Sequence, residues 1–219
     1  MSSKLDKDLK VFLNIYNKFE YDERSEKQLS MLSGEIDICG TDGNYWDSFN
    51  IEIYINKETY PFCIPIIIET SKKIIRHKDW HISSEGICCL DIHHELEYLC
   101  RNGINIVSFY QKKIYPYFAN TVYKKREGYY ANGEYLHDFG AVIEFYKKRL
   151  NLSNPIIIIE LLNNILKNTI PNRNDKCFCD SNLKYKKCHL KEVEILRSLP
   201  KERILKDLKG FKATIKLSS

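Results

Sequence analysis

Glycine and proline are scarce in this chain, with 9 and 6 in 219 residues. Alanine is scarce too, while Ile, Asn, Lys and Tyr dominate, a balance that reads as compositional bias of the host more than a physical requirement. No glycine-rich nucleotide loop occurs, which excludes a nucleotide-activating domain within these residues. There is no N-terminal apolar h-region and no run long enough to span a bilayer. The longest apolar stretch, Ile156 to Ile159 with Leu161 and Leu162, is too short. The expectation is a cytoplasmic protein with no membrane partner. A strong charge of one sign is also missing: 34 Lys and Arg face 29 Asp and Glu, a formal net charge of +5. Much of that excess falls in the last third, and it is too mild to argue for nucleic acid, so no nucleic-acid partner is expected. No internal repeat is present.

What is there suffices for a packed domain. Hydrophobic residues make up 43% and aromatics 12%, and the length allows one core domain plus a small appendage. Eight cysteines in a reducing compartment argue against a disulfide framework and point to metal ligation, catalysis or burial.

Leu9, Phe12, Leu13, Tyr16 and Phe19 recur at helical spacing, so Asp6 to Phe19 reads as an amphipathic helix. The charged segment Tyr21 to Lys27 reads as a loop or short helical turn. The period then becomes two: Gly34 to Gly40 alternates apolar and acidic residues, Thr41 to Asn44 is a turn, and Phe49 to Ile55 alternates again. Tyr60-Pro61 and then Pro65 to Glu69 make a third strand, its prolines suited to strand ends. Arg76 to Ile92 reads as an ordered loop. Helical spacing resumes from Gly103 to Phe118. A link from Gly128 to Gly140 leads to a helix over Ala141 to Leu150, and Asn154-Pro155 opens another, with Pro at its first position. The Ile run there also suits a buried strand, but the Leu161-Leu162 and Ile165-Leu166 pairs favour helix. Lys-rich helices broken at Pro200 close the chain.

The segment Asp79-Trp-His-Ile-Ser-Ser-Glu-Gly-Ile-Cys-Cys-Leu-Asp-Ile92 is the most informative. It resembles the active-site loop of the ubiquitin-conjugating enzyme superfamily: His-Pro-Asn-Ile, three residues, Gly, two residues, then the nucleophilic Cys and Leu-Asp-Ile. Gly86 stands three before Cys89, and Leu90-Asp91-Ile92 follows. The resemblance covers roughly residues 5 to 120. Asp79-Trp80-His81 replaces His-Pro-Asn, so His81 occupies the place of the amide credited with steadying the oxyanion. Paired cysteines with an upstream His resemble the bacterial branch.

The chemistry such a loop implies is acyl transfer through a cysteine thioester. It needs an accessible thiol, a donor for the developing oxyanion and a group that handles the amine's proton. Cys89 is the expected nucleophile. His81 is the expected oxyanion donor or thiolate support, against a structural hydrogen bond that holds the loop. Asp91 and His137 are candidates for the third task. His137, in Gly133-Glu-Tyr-Leu-His-Asp-Phe-Gly140, equally suits a helix-entry turn. Cys88 is expected to turn inward, with Cys39, Cys63 and Cys100 in the core. His77, His93 and His94 read as solvated loop residues. Tyr115, Tyr117, Tyr129 and Tyr130 read as packing aromatics.

Cys177-Phe-Cys179, eight residues, then Cys188-His189 is a C-x-C-x8-C-H arrangement. It resembles the SEC-C zinc motif, including a basic segment at Lys184 to Lys187. Asp180-Ser-Asn182 replaces the family's Gly-Ser-Gly, residues that tolerate left-handed backbone better than other non-glycines. Cys177, Cys179, Cys188 and His189 are thus the expected ligands of a structural zinc with no open coordination position.

The expected architecture is α+β: a ubiquitin-conjugating (UBC-like) fold with an N-terminal helix, an antiparallel four-stranded meander and C-terminal helices, plus a small zinc knot. Its parts are a UBC-like catalytic domain over 1–125, a helical extension packing on it over 126–170, the SEC-C-type motif over 171–192 and a Lys-rich helical tail over 193–219. The resemblance implies a transferase that carries the C-terminus of a protein substrate on Cys89 and passes it to an acceptor lysine. That substrate is a ubiquitin-like protein or, as in short type II CBASS antiphage operons, a cGAS-like nucleotidyltransferase. The rival expectations are an inactive scaffold of the same fold and a Cys–His hydrolase, for which no orienting Asn or Asp stands at a recognisable spacing.

Overall fold

The computed structural model describes residues 3–22, 28–131 and 138–217, with side chains to residue 215. They form two compact units, Met1–Glu134 and Tyr135–Ser219.

The first unit opens with α1, Lys4–Ile15. Ser3 caps it: its hydroxyl accepts from the Asp6 N–H while Asp6 accepts from the Ser3 N–H, a reciprocal box worth about 1 kcal/mol. Leu5, Leu9 and Phe12 fall on one face and are buried. The helix stops at Tyr16, short of the expected Phe19, because Phe19 begins a strand. That strand, β1 (Phe19–Asp22), replaces the loop or turn expected at Tyr21 and pairs with the next one, Phe19 lying opposite Gly34. A Cβ at Gly34 would stand 2.6 Å from the Lys18 carbonyl oxygen, so only glycine lets β1 dock there.

Strands β2 (Leu29–Cys39), β3 (Tyr45–Asn56) and β4 (Ile66–Glu69) complete an antiparallel sheet in the order β1-β2-β3-β4. The antiparallel meander has the expected four strands, but its first strand falls where a helix end and a loop are expected. Alternation sets the register: Ile36 lies opposite Phe49 and Leu32 opposite Ile53, all four essentially inaccessible to solvent. A register shift between Ile38 and Cys39 ends the regular pairing, and Cys39 is exposed rather than in the core as expected. Cys63 is half-buried and Cys100 buried.

Helices cover the inner face. α2 (His93–Arg101) was not expected; Ile92, Leu96 and Cys100 recur at four-residue spacing along its buried side. His94 is 1% exposed, a correction to its reading as a solvated loop residue, and His93 sits in the same helix. The expected helix over Gly103 to Phe118 is divided into α3 (Ile106–Phe109), a π-turn at Tyr110–Ile114 and α4 (Tyr115–Glu127). Pro116 accounts for the widened turn: it lacks the N–H that would bond the Lys112 carbonyl, and its ring crowds that oxygen. Tyr110 packs on Phe12 and Tyr16, and Phe118 packs on Phe49 at 5.0 Å between ring centroids. The Tyr60 hydroxyl donates to Asp8 of α1 and accepts from the Ile106 N–H, tying α1 to the start of α3.

The second unit holds α5 (Phe139–Leu150), α6 (Pro155–Lys167), the cysteine knot, α7 (Leu190–Arg197) and α8 (Lys201–Leu217). Asn154 caps α6 through the Ile156 N–H with Pro155 in its first turn, as the sequence suggests, and α7 and α8 break at Pro200. α6 packs along α8, and the buried Tyr146 hydroxyl donates to the buried Asp207 carboxylate. Among the described residues no helix is long and apolar enough to cross a membrane.

Candidate active loop and metal centre

The cysteine loop is a short hairpin laid along β4, the last strand of the sheet. The Cys88 N–H donates to the Ile67 carbonyl at 2.8 Å and the Glu69 N–H to the Gly86 carbonyl at 2.9 Å. Within the hairpin, Ile82 bridges Cys88, and the Cys89 N–H donates to the His81 carbonyl at 2.7 Å. Gly86 closes the turn with φ +90°, where a Cβ would stand 2.6 Å from the Glu69 carbonyl oxygen. Any side chain there would be strained by its backbone and would force the hairpin off β4.

Strand alternation then separates the two thiols. Cys88 is buried and Cys89 exposed, as expected. Burial pushes the Cys88 thiol up to about 12. The Cys89 thiol is also raised: desolvation of its sulfur comes first, then the negative charge of Asp91, while the Asp91 backbone N–H works the other way. At neutral pH Cys89 is therefore a thiol, not a standing thiolate.

His81 lies at the mouth of the hairpin, in left-handed backbone at φ 51°, with its ring 5.5 Å from that of Tyr130. His is among the few non-glycine residues enriched there. The structure places it beside Cys89 through the shared backbone bond. Three successive carbonyls before the hairpin are held by side chains of the first unit's last helix and of the residues just after it. Tyr130 donates to the Asp79 oxygen, Lys124 to the same oxygen, and Tyr117 to those of Trp80 and His81 at 3.0 and 3.1 Å. Lys124 also lies over the rings of Trp80 and Tyr130. The packing reading of Tyr117 and Tyr130 understated them, since their hydroxyls brace the loop.

Asp91 is brought to the same place, but not free. Its carboxylate pairs with Lys113 from the π-turn and accepts from the Ile92 N–H. On the other side, Glu69, fully buried, pairs with Arg76, whose second amino group donates to the Glu69 carbonyl at 2.6 Å. Ser71 donates to Glu69 as well. This pair supports the edge on which Gly86 rests. Neither Glu69, Arg76, Lys113 nor Tyr117 carries a sequence signal: each partner comes from a segment whose placement only the fold decides. His137 lies outside the described residues. His77 is exposed and caps a 3-10 turn at Lys78–Trp80 through the Asp79 N–H.

The metal centre is built at short range. Asp180 and Asn182 adopt left-handed backbone, φ 58° and 59°, as expected for residues standing in for glycine. The turn they form is closed by the Cys177 N–H on the Leu183 carbonyl at 2.9 Å. A 3-10 turn, Tyr185–Lys187, then delivers Cys188 and His189 at the head of α7. The ligand atoms of Cys177, Cys179, Cys188 and His189 all lie within 4.8 Å of one another. Cys177 Sγ is 3.3 Å and Cys188 Sγ 3.1 Å from His189 Nδ1, and the sulfurs of Cys179 and Cys188 are 3.5 Å apart. Tetrahedral zinc, with bonds of about 2.0–2.3 Å, sets ligand separations of roughly 3.3–3.8 Å. Three thiols and an imidazole converging at that spacing fit the ion. With all four positions filled by protein, a zinc held there would have a structural part. Tyr185 is buried beside the cluster, and Phe178 packs on His189.

Residues 173–191, which contain all four ligands, match the family model of the SEC-C motif. No curated protein and no solved structure matches the chain.

Proposed function

We propose that the first unit is a ubiquitin-conjugating-type acyl transferase working through Cys89. The observation that carries the reading is the pairing of an outward thiol with a buried twin on a braced hairpin, followed by Leu90-Asp91-Ile92. A donor thioester is attacked by Cys89 sulfur; its acyl carbon–sulfur bond breaks, and the donor thiol leaves with the proton. An amine then attacks the new thioester. The carbon–nitrogen bond forms, the bond to Cys89 breaks, and the amine's proton returns a thiol. His81 is the candidate donor to the oxyanion. The donor is the C-terminus of a partner protein, a ubiquitin-like protein or a cGAS-like nucleotidyltransferase, and the acceptor a lysine. The donor is activated elsewhere, or the enzyme acts without a separate activating step. The setting is bacterial conjugation linked to antiphage defence, in the cytoplasm, and the SEC-C knot carries structural zinc.

A raised thiol suits this reading better than a Cys–His hydrolase, whose imidazole would lower it. The inactive scaffold is the second reading, supported by the lack of an amide at position 81. Wild type should form a thiol-sensitive adduct with the partner, and Cys89→Ser a thiol-resistant one or none. Loading should climb with pH through neutrality and beyond about 8.5, because the reactive thiolate appears only above the raised pKa. His81→Gln should slow discharge of the adduct. Cellular function that survives Cys89→Ala would leave the scaffold.

A further inference from the structure

Lys113 is a long cation carried on the widened helical turn before Pro116. Regular α-helical register from Ile106 through Glu127 is interrupted by the π-turn at Tyr110–Ile114. The widened turn reorients the residues it contains, and one of them, Lys113, ends on the Asp91 carboxylate with Nζ–Oδ2 of 2.5 Å. The pair is sheltered, with side chains 25% and 12% exposed. Asp91 is two residues past Cys89, whose Sγ lies 3.8 Å from the Asp91 carbonyl oxygen. The other carboxylate oxygen of Asp91 accepts from the Ile92 N–H at 2.8 Å, which fixes the group's orientation at the entry to α2.

The Asp91 carboxylate opposes ionisation of the Cys89 thiol, and a cation seated on that carboxylate offsets part of the opposition. We propose that Lys113 is a positioning residue for Cys89. Seated on Asp91, it offsets part of the negative charge beside the sulfur and holds the loop carboxylate turned towards α2. Asp91 thus serves as a tethered counter-charge rather than a free base. Among the described residues, Cys89 is adjoined by Asp91 and, through it, Lys113, with Cys88 and His81 in the hairpin and Tyr117 from α4. Tyr117 is buried and stays neutral far above the ordinary phenol range, so it contributes a dipole and no charge. The π-turn is then the device that brings the cation within reach, a use in keeping with the placement of such turns at functional sites.

The inference rests on Cys89 as nucleophile, and its test needs no acyl donor. The rate of iodoacetamide alkylation at Cys89, followed by peptide mass spectrometry on the full zinc-loaded chain from about pH 6 to about pH 10, reads the thiolate fraction. Lys113→Met should slow labelling at neutral pH on the order of threefold to tenfold and move the profile to higher pH. Lys113→Arg, which keeps the charge, should hold the wild-type profile. Asp91→Asn, which leaves the Lys113 cation unopposed, should speed labelling, and the double variant Asp91→Asn/Lys113→Met should return to within about twofold of wild type, since both charges are gone. A Lys113→Met profile that coincides with wild type overturns the proposal. So does a double variant as slow as Lys113→Met, which would mean that Lys113 acts through packing alone. Should Lys113→Met fail to fold, Asp91→Asn decides: an unmoved or alkaline-shifted profile sinks the idea. If the thiol titrates as expected and the chain never carries an acyl adduct, the charge relation stands and the transferase falls.

Discussion

The two cysteine sites are held in opposite ways. Every ligand of the knot comes from the thirteen residues Cys177 to His189, and its turn is closed by neighbours in sequence. The Cys89 hairpin is held by groups far along the chain: Tyr117 reaches back 36 positions to His81, and Tyr130 reaches 51 to Asp79. A local site with little apolar interior would depend on one dominant contributor, a bound metal ion. A site assembled from distant segments spreads its stability over many modest bonds. Changes in the knot should therefore act as a switch, and changes around the hairpin as a series of graded losses.

The largest effect should follow from the knot. Structural zinc supplies apparent binding free energies of about 10–16 kcal/mol in small motifs, and that binding is folding free energy. Replacing Cys177 and Cys179 together by Ser should remove one equivalent of zinc, measured by atomic emission. Peptide-resolved hydrogen exchange should show loss of protection across 173–191. Alkylation of Cys89 should keep its wild-type rate. Unaltered metal content would refute the ligand set, and a slowed Cys89 would break the contrast between the two sites.

A graded but substantial loss is expected at the buried ion pair under the hairpin. Arg76→Met leaves the inaccessible Glu69 carboxylate without its cation, a change that costs about 3–5 kcal/mol. Urea unfolding of the first unit should show it as a lower midpoint. Glu69→Gln combined with Arg76→Met should recover most of the loss, because the cost lies in the stranded charge. A single variant as stable as wild type would mean that the hairpin edge does not rest on this pair.

The contrast also explains what could be seen in the sequence. The knot was legible as a motif and as a cluster of three cysteines and a histidine because its geometry is written in spacing: C-x-C, C-H, and Asp and Asn where positive φ is needed. The meander was legible because alternation is local to each strand. The Cys88 and Cys89 orientations followed from the same alternation. Missing were β1, since four residues are too few for a period, and α2, whose buried face includes a histidine. Cys39 was misplaced because the alternation that buries Ile36 and Ile38 turns the next residue outward. The braces Tyr117, Lys124, Arg76 and Lys113 were invisible for a single reason. A tyrosine on a packed helix looks like core, and a lysine in a turn looks like surface, until the fold shows which carbonyl or carboxylate each one meets.

Among those braces, Tyr117 makes the sharpest small test. Its hydroxyl donates to the carbonyls of Trp80 and His81, and the His81 carbonyl also receives the Cys89 N–H. Tyr117→Phe keeps the ring contact with Phe118 and deletes only the donor. Two partly shielded carbonyls then lose a partner, for a cost of about 1–2 kcal/mol, smaller than at the ion pair because carbonyls bear no net charge. A purely packing tyrosine would lose nothing at the loop. A bracing one should leave global unfolding nearly two-state while the Cys89 amide exchanges faster, since the carbonyl that holds it is freer to move. Exchange at Cys89 that stays at the wild-type rate would reduce Tyr117 to core. Faster exchange there, with the knot's amides unchanged, would show the hairpin loosening by one bond at a time, where the knot can only hold or open.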